Sequence, residues 1–169
     1  MRDVLIKVVD ATVQKFGAEY VEVRAQKLFK TMLTLKEGRV EAVRQGIEKG
    51  AALRALVDGA WGFASVGALE VEALTDAISD ACRMAKAASL KIKTPIKLIE
   101  TKAVEDKVVA RPRKDPSKIS IEDKIKTTLS ISDTIMGYNN RVKSCTIDYL
   151  DLMGTSYFIN NEGSYLSLI

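Results

Sequence analysis

The stretch Gly50-Ala-Ala-Leu-Arg-Ala-Leu-Val-Asp-Gly-Ala-Trp-Gly-Phe-Ala-Ser65 decides how the first half of this chain folds. Two apolar runs, residues 51–57 and 60–66, flank Asp58-Gly59. Asp-Gly suits a two-residue hairpin turn because both turn positions take positive φ. The stretch therefore predicts a β-hairpin. Upstream, Val21 and Val23 alternate with Glu22 and Arg24, and Leu33 and Leu35 alternate with Thr34 and Lys36. This period of two predicts strands. Glu37-Gly38 turns the chain into residues 39–45, and Gly46 to Gly50 predicts a further reversal. Before these strands, Leu5, Val8, Val9, Thr12, Val13 and Phe16 form a helical stripe, and Gly17 sits where a left-handed cap is wanted.

Downstream of the hairpin, Leu74, Ala77, Ile78, Ala81, Met84, Ala85 and Ala88 share one face of a second helix. Its alanine content predicts close packing on a sheet. Residues 91–126 carry eleven Lys/Arg against six Asp/Glu and all three prolines, Pro95, Pro112 and Pro116. That composition reads as a solvated connection with a short strand near residues 96–99. A third helix opens at Ser120-Ile121-Glu122-Asp123, an approximate capping box, and runs through Ile125, Leu129, Ser132, Ile135 and Met136 to Gly137. Alternation returns over residues 141–151, with 155–159 expected to pair back across Met153-Gly154. Asn160-Asn161-Glu162-Gly163 is a turn into a last strand. The expected fold is α+β: antiparallel sheet of about seven to eight strands with about three packed helices. Three regions follow, residues 1–90, a basic connection at 91–119, and 120–169.

Composition bounds the chemistry. The 169 residues include no histidine and two cysteines, Cys82 and Cys145, remote from each other. That usage suits a reducing cytoplasm, with both thiols as small buried hydrophobes. No apolar run reaches the roughly 20 residues of a bilayer span. The net charge of +4 arises in residues 91–126, which hold no aromatic side chain for base stacking. A phosphate loop at Gly59-Ala60-Trp61-Gly62 is ruled out, since the Lys-Ser/Thr ending is missing and a strand follows. Without histidine there is no Ser-His or Cys-His pair.

The 50–65 block follows Gly17-Ala18-Glu19-Tyr20-Val21-Glu22-Val23-Arg24 and Gly38-Arg39-Val40-Glu41. With the later Asn160-Asn161-Glu162-Gly163, these motifs resemble, in the same order, the N-terminal region of the TldD/PmbA family. The resemblance implies a cytoplasmic zinc metallopeptidase, linked to modulation of DNA gyrase and to peptide maturation, whose related subunits pair to enclose a chamber. It implies a zinc site made by a His-Glu-x-x-x-His helix and a distant cysteine, none of which can be placed on this sequence. Zinc is thus expected only in a C-terminal region of an active member, and no cofactor is expected in this chain. The chain stops within an apolar strand, Tyr165-Leu166-Ser167-Leu168-Ile169, and is expected to be cut before that metal-binding domain.

The expected function is a non-catalytic N-terminal domain that shapes the chamber, contacts a paired subunit or a second copy, and binds peptide. The alternative is a stand-alone regulatory module acting on a protein or nucleic acid through residues 91–126. Candidate binding residues are Arg54, Trp61, Phe63, Asn160, Asn161 and Glu162. Each has a plainer reading. Trp61 and Phe63 also suit sheet packing, with Gly62 between them admitting a close backbone. Arg54 also suits a solvent-facing position, and otherwise pairs with a buried acid or a peptide carboxylate. The three turn residues are also accounted for by turn geometry. Tyr20, Glu22 and Arg24 share a sheet face that reads as solvated.

Overall fold

The fold of this computed structural model is described for residues 1–169. The first helix, α1 (Arg2–Phe16), buries Leu5, Val8, Val9 and Thr12 along one stripe and stops at Gly17, whose φ of 60° is left-handed. The Gly17 N–H donates to the Val13 carbonyl and so closes the last turn. Strands β1 (Tyr20–Lys36), β2 (Arg39–Val57) and β3 (Ala60–Val66) follow, then helix α2 (Val71–Ser89). Glu37-Gly38 and Asp58-Gly59, all four with positive φ, make the turns between these strands. The chain continues through β4 (Glu105–Val108), a single 3-10 turn at Pro116–Lys118, α3 (Ile121–Tyr138), β5 (Thr146–Asn160) and β6 (Tyr165–Leu168).

The sheet has six strands in the order β3-β2-β1-β5-β6-β4, and it is mixed. β2 runs antiparallel to β3 and β5 antiparallel to β6, whereas β4 lies parallel to β6, Glu105 opposite Tyr165. This corrects the expected all-antiparallel sheet of more strands. Gly46, Gly50 and the Met153-Gly154 pair remain within long strands and do not turn the chain. Gly50 has a packing reason to be glycine: a Cβ there would lie 2.9 Å from the Val66 carbonyl oxygen. The short strand in the basic segment falls at β4, not near residues 96–99, because β6 offers 105–108 a free edge to pair with. Ile96 is instead tied back to the first hairpin, its N–H donating to the Gly59 carbonyl at 2.8 Å.

The chain divides into two compact units. Unit 1 comprises residues 1–27, 49–110 and 155–169. Its core is one sheet face covered by α1 and α2: Leu5, Val8 and Val9 meet Val21, Val23, Leu53, Ala55, Leu74 and Ile78. The helix lies close. A Cβ on Gly62 of β3 would fall 1.9 Å from the Ala81 carbonyl oxygen of α2, so the close backbone approach expected at Gly62 is made by this helix. Cys82 lies in this core, and burial pushes its thiol up to about 11.

Unit 2 comprises residues 28–48 and 111–154. The Ser120 hydroxyl caps α3 by accepting the Asp123 N–H at 3.1 Å. The buried stripe of α3 is Lys124, Thr128 and Ser132; of the residues read along this helix from sequence, Ser132 lies on it, while Ile125 and Leu129 are half-buried and Ile135 is exposed. The polar stripe is buried because its charge is paired: Lys124 Nζ lies 2.9 Å from Asp151 Oδ2, their side chains 4% and 10% exposed. Tyr149 donates its hydroxyl to Asp151 at 2.6 Å. Burial, then this bond to Asp151, pushes the Tyr149 phenol up to about 12.

Two glycine substitutions separate packing from backbone freedom. Gly62→Ala, which drives a methyl into the α2 carbonyl, is expected to destabilise the protein by about 3 kcal/mol in urea unfolding. Gly67→Ala, with open space around the added carbon, should stay within about 0.5 kcal/mol of the parent. Equal effects would contradict the close seating of α2. In the folded protein Cys82 should resist alkylation at neutral pH and become reactive on unfolding.

Candidate functional site

Alternation along the strands of unit 1 sends every second side chain away from α1 and α2. In β1 the residues pointing away are Tyr20, Glu22 and Arg24, between the core residues Val21, Val23 and Ala25. In β2 they are Ala52, Arg54 and Leu56. The register places Arg54 opposite Phe63 and Leu56 opposite Trp61, so the two aromatics share that face with the arginine. These residues meet at one carboxylate.

Glu22 is 4% exposed. Its Oε1 accepts Arg24 Nε at 3.0 Å, and its Oε2 accepts the Tyr20 hydroxyl at 2.9 Å and Arg54 Nη2 at 2.9 Å. Arg54 Nε also approaches Oε1 at 2.8 Å, close enough for a salt bridge but without the alignment of a hydrogen bond. Two guanidinium groups therefore converge on one acid, leaving a local charge of about +1. Burial pushes the Glu22 carboxyl up, yet the bonds from Arg54, Arg24 and Tyr20 outweigh it and hold the group below the ordinary carboxylate range. Burial is the main cause that raises the Tyr20 phenol.

The aromatics hold the arginines in place. The Arg54 guanidinium lies 4.6 Å from the Trp61 ring centre, and Arg24 stacks at 4.8 Å over Phe158. Tyr20 meets Trp61 edge-on at 5.8 Å, and Trp61 lies 6.2 Å from Phe63. Glu22, Arg24, Ala52, Arg54, Phe63 and Ser65 line a groove of about 540 Å³. Phe63 forms an apolar wall and is 59% exposed.

Of the residues singled out from sequence, the structure thus gathers Arg54, Trp61 and Phe63. Asn160 reaches the same network, its Nδ2 lying 3.4 Å from the Tyr20 hydroxyl. Asn161 is engaged in the backbone: its Oδ1 accepts the Val21 N–H at 2.8 Å and its Nδ2 donates to the Glu19 carbonyl at 3.3 Å. Glu162 is half-buried outside the groove, and its Oε2 accepts from the Thr101 hydroxyl and from Asn160 Nδ2, each at 3.3 Å. The centre of the site, Glu22, was read from sequence as part of a solvated face. The available signal was Arg54, a charge inside an apolar strand that requires an acid.

The arrangement presents fixed N–H donors beside an aromatic wall, which suits an anion carried on an apolar group. It supplies no nucleophile with a base. Zinc does not fit these residues either, since the chain has no histidine and no three His, Cys, Asp or Glu side chains converge on one point.

Glu22→Gln tests the keystone. Loss of the charge between two guanidinium groups should cost about 2–4 kcal/mol of stability at pH 7. The folded acid is held below its unfolded value of about 4.3, so its contribution is complete above that pH and is lost as pH falls through the lower folded value. Urea unfolding of both proteins from pH 7 down to about pH 3 should show the gap closing in that acidic window. A gap independent of pH would argue against a charged Glu22.

Residues 21–85 match the model of PmbA/TldA metallopeptidase domain 1. A metalloprotease of Methanocaldococcus jannaschii is 29% identical over 147 residues, covering 86% of this chain and 32% of that protein. A metalloprotease of Synechocystis is 26% identical over 151 residues, covering 88% of this chain and 31% of that one. This chain spans about a third of the length of the curated relatives it matches. Two solved structures share the fold. One is a protein named as a modulator of DNA gyrase from Bacteroides thetaiotaomicron, with a TM-score of 0.69 and 17% identity over 98% of this chain and 38% of that one. The other is TldE from Thermococcus kodakarensis, with a TM-score of 0.63 and 15% identity over 97% of this chain and 37% of that one. The part of this chain that is similar to the first domain of the PmbA/TldA metallopeptidases is thus residues 21–85, the stretch that holds Glu22, Arg24, Arg54, Trp61 and Phe63 of the groove.

Proposed function

We propose that this chain is the non-catalytic N-terminal domain of a TldD/PmbA-type zinc metallopeptidase of the cytoplasm, and that it holds peptide during proteolysis. The observation that carries the reading is the groove on the helix-free sheet face, where the Glu22-anchored arginines stand beside Trp61 and Phe63. Its neighbour β3 is an edge strand, so an extended peptide has both a backbone to pair with and side-chain surface to lie on. The same surface would form part of a chamber wall when a paired subunit or a second copy closes over it. The match of residues 21–85 to PmbA/TldA metallopeptidase domain 1 supports the metallopeptidase setting, and the groove's arginines and aromatic wall support a binding role.

Two measurements on the purified chain test this. Fluorescence anisotropy with a labelled, unstructured peptide should show saturable binding, and Phe63→Ala should weaken it about tenfold. Incubation with the same peptide should yield no cleavage with or without added zinc. Hydrolysis by the chain, free of contaminating protease, would refute the non-catalytic role. Absence of saturable binding would refute the peptide-holding one.

A further inference from the structure

The groove contains more hydrogen-bonding capacity than the fold uses. Arg24 spends Nε on Glu22, and its two terminal nitrogens have no protein partner. Arg54 spends Nη2 on Glu22, and its Nη1 is likewise without a partner. Both groups are oriented despite this freedom, Arg24 by Glu22 and Phe158, Arg54 by Glu22 and Trp61. An arginine fixed by a carboxylate on one edge presents its other edge as a rigid fork, the shape that matches a second carboxylate. The Glu22 carboxylate accepts three hydrogen bonds, from Tyr20, Arg24 and Arg54, with Arg54 Nε also 2.8 Å from its Oε1, so Glu22 neutralises one positive charge and leaves the other for a ligand. On the same groove, Phe63 and Ala52 offer an apolar surface next to that charge.

We propose that this groove is a subsite for the C-terminal α-carboxylate of a peptide whose last side chain is apolar. The carboxylate sits on the free edges of Arg24 and Arg54, and the side chain lies against Phe63. This deepens the peptide-holding role above and rests on it. It makes the domain a reader of peptide ends, where that role alone requires only a chain of extended backbone. A carboxylate could also come from an internal Asp or Glu. The terminal one is favoured because it lies within one residue of its own side chain, and the groove sets charge and aromatic wall equally close together, with Arg54 directly opposite Phe63 in the strand register.

The test compares three acetylated peptides of one unstructured sequence on the full chain by isothermal titration calorimetry. One ends in phenylalanine with a free carboxylate, the second ends in phenylalanine amide, and the third is that amide with an internal glutamate. The free acid should bind at least about tenfold more tightly than either amide, and its affinity should fall with added salt. Arg24→Gln, at a side chain 63% exposed and outside the core, should remove the preference for the acid over the amide. Equal binding of acid and plain amide overturns the subsite and leaves the peptide-holding role standing. Equal binding of the acid and the internal-glutamate amide overturns the terminal assignment. No binding by any peptide overturns both the subsite and the role beneath it. Should Arg24→Gln prove unfolded by circular dichroism, Arg24→Lys, which keeps the charge and loses the fork, gives the same comparison.

Discussion

One carboxylate organises the helix-free face of this sheet. Glu22 sits between two guanidinium groups and a phenol, and each of those is in turn held by an aromatic ring or an amide. A buried acid is costly unless every lone pair is satisfied. Here the satisfaction is what aligns β1 with β2 through side chains as well as through the ladder. Tyr20 and Asn160 extend the network toward β5, so strands far apart in sequence are joined at a single charge. An arginine that points freely into water makes a weak and indefinite site, whereas one pinned by this acid keeps its spare edge in place.

Unit 2 uses the same physics for a different end. Under α3, Lys124 and Asp151 form an ion pair to which the Tyr149 hydroxyl donates, and all three side chains are occupied with one another. The Glu22 cluster has donors left over and a groove in front of it. The contrast separates a charge cluster that only supports the fold from one that can also receive a ligand. Both depress the pKa of an acid, so perturbed ionisation alone does not distinguish them.

Local chemistry was readable from the sequence. The three helices and both tight turns follow from the Leu5–Phe16 stripe, the Ser120 cap, and positive φ at Glu37-Gly38 and Asp58-Gly59. The long strands were not readable, because Gly46 and Gly50 carry the composition of turns. Only the tertiary setting, such as the Val66 carbonyl against Gly50, shows glycine used for close approach. The parallel pairing of β4 with β6 was hidden for a related reason: an exposed four-residue strand has no pattern of its own. At the site, Arg54, Trp61 and Phe63 stood out as residues out of keeping with their strand. Glu22 did not, since the period of two tells which residues share a face but not whether that face is wet.

Unit 1 is assembled from three separate stretches of chain, with the two stretches of unit 2 lying between them in sequence. No fragment shorter than residues 1–169 therefore contains unit 1 whole, and a fragment that contains unit 2 whole also carries residues 49–110 of unit 1. The ribosome must deliver residues 155–169 before the sheet of unit 1 is complete, although most of its core has already emerged. Until then, the exposed edge of β1 has no β5 to cover it. Native contacts of such long sequence separation slow folding through the entropy of loop closure. The nascent protein thus passes through an interval in which an unpaired strand edge is open to other chains, and the cell's folding helpers have their reason to act on it then.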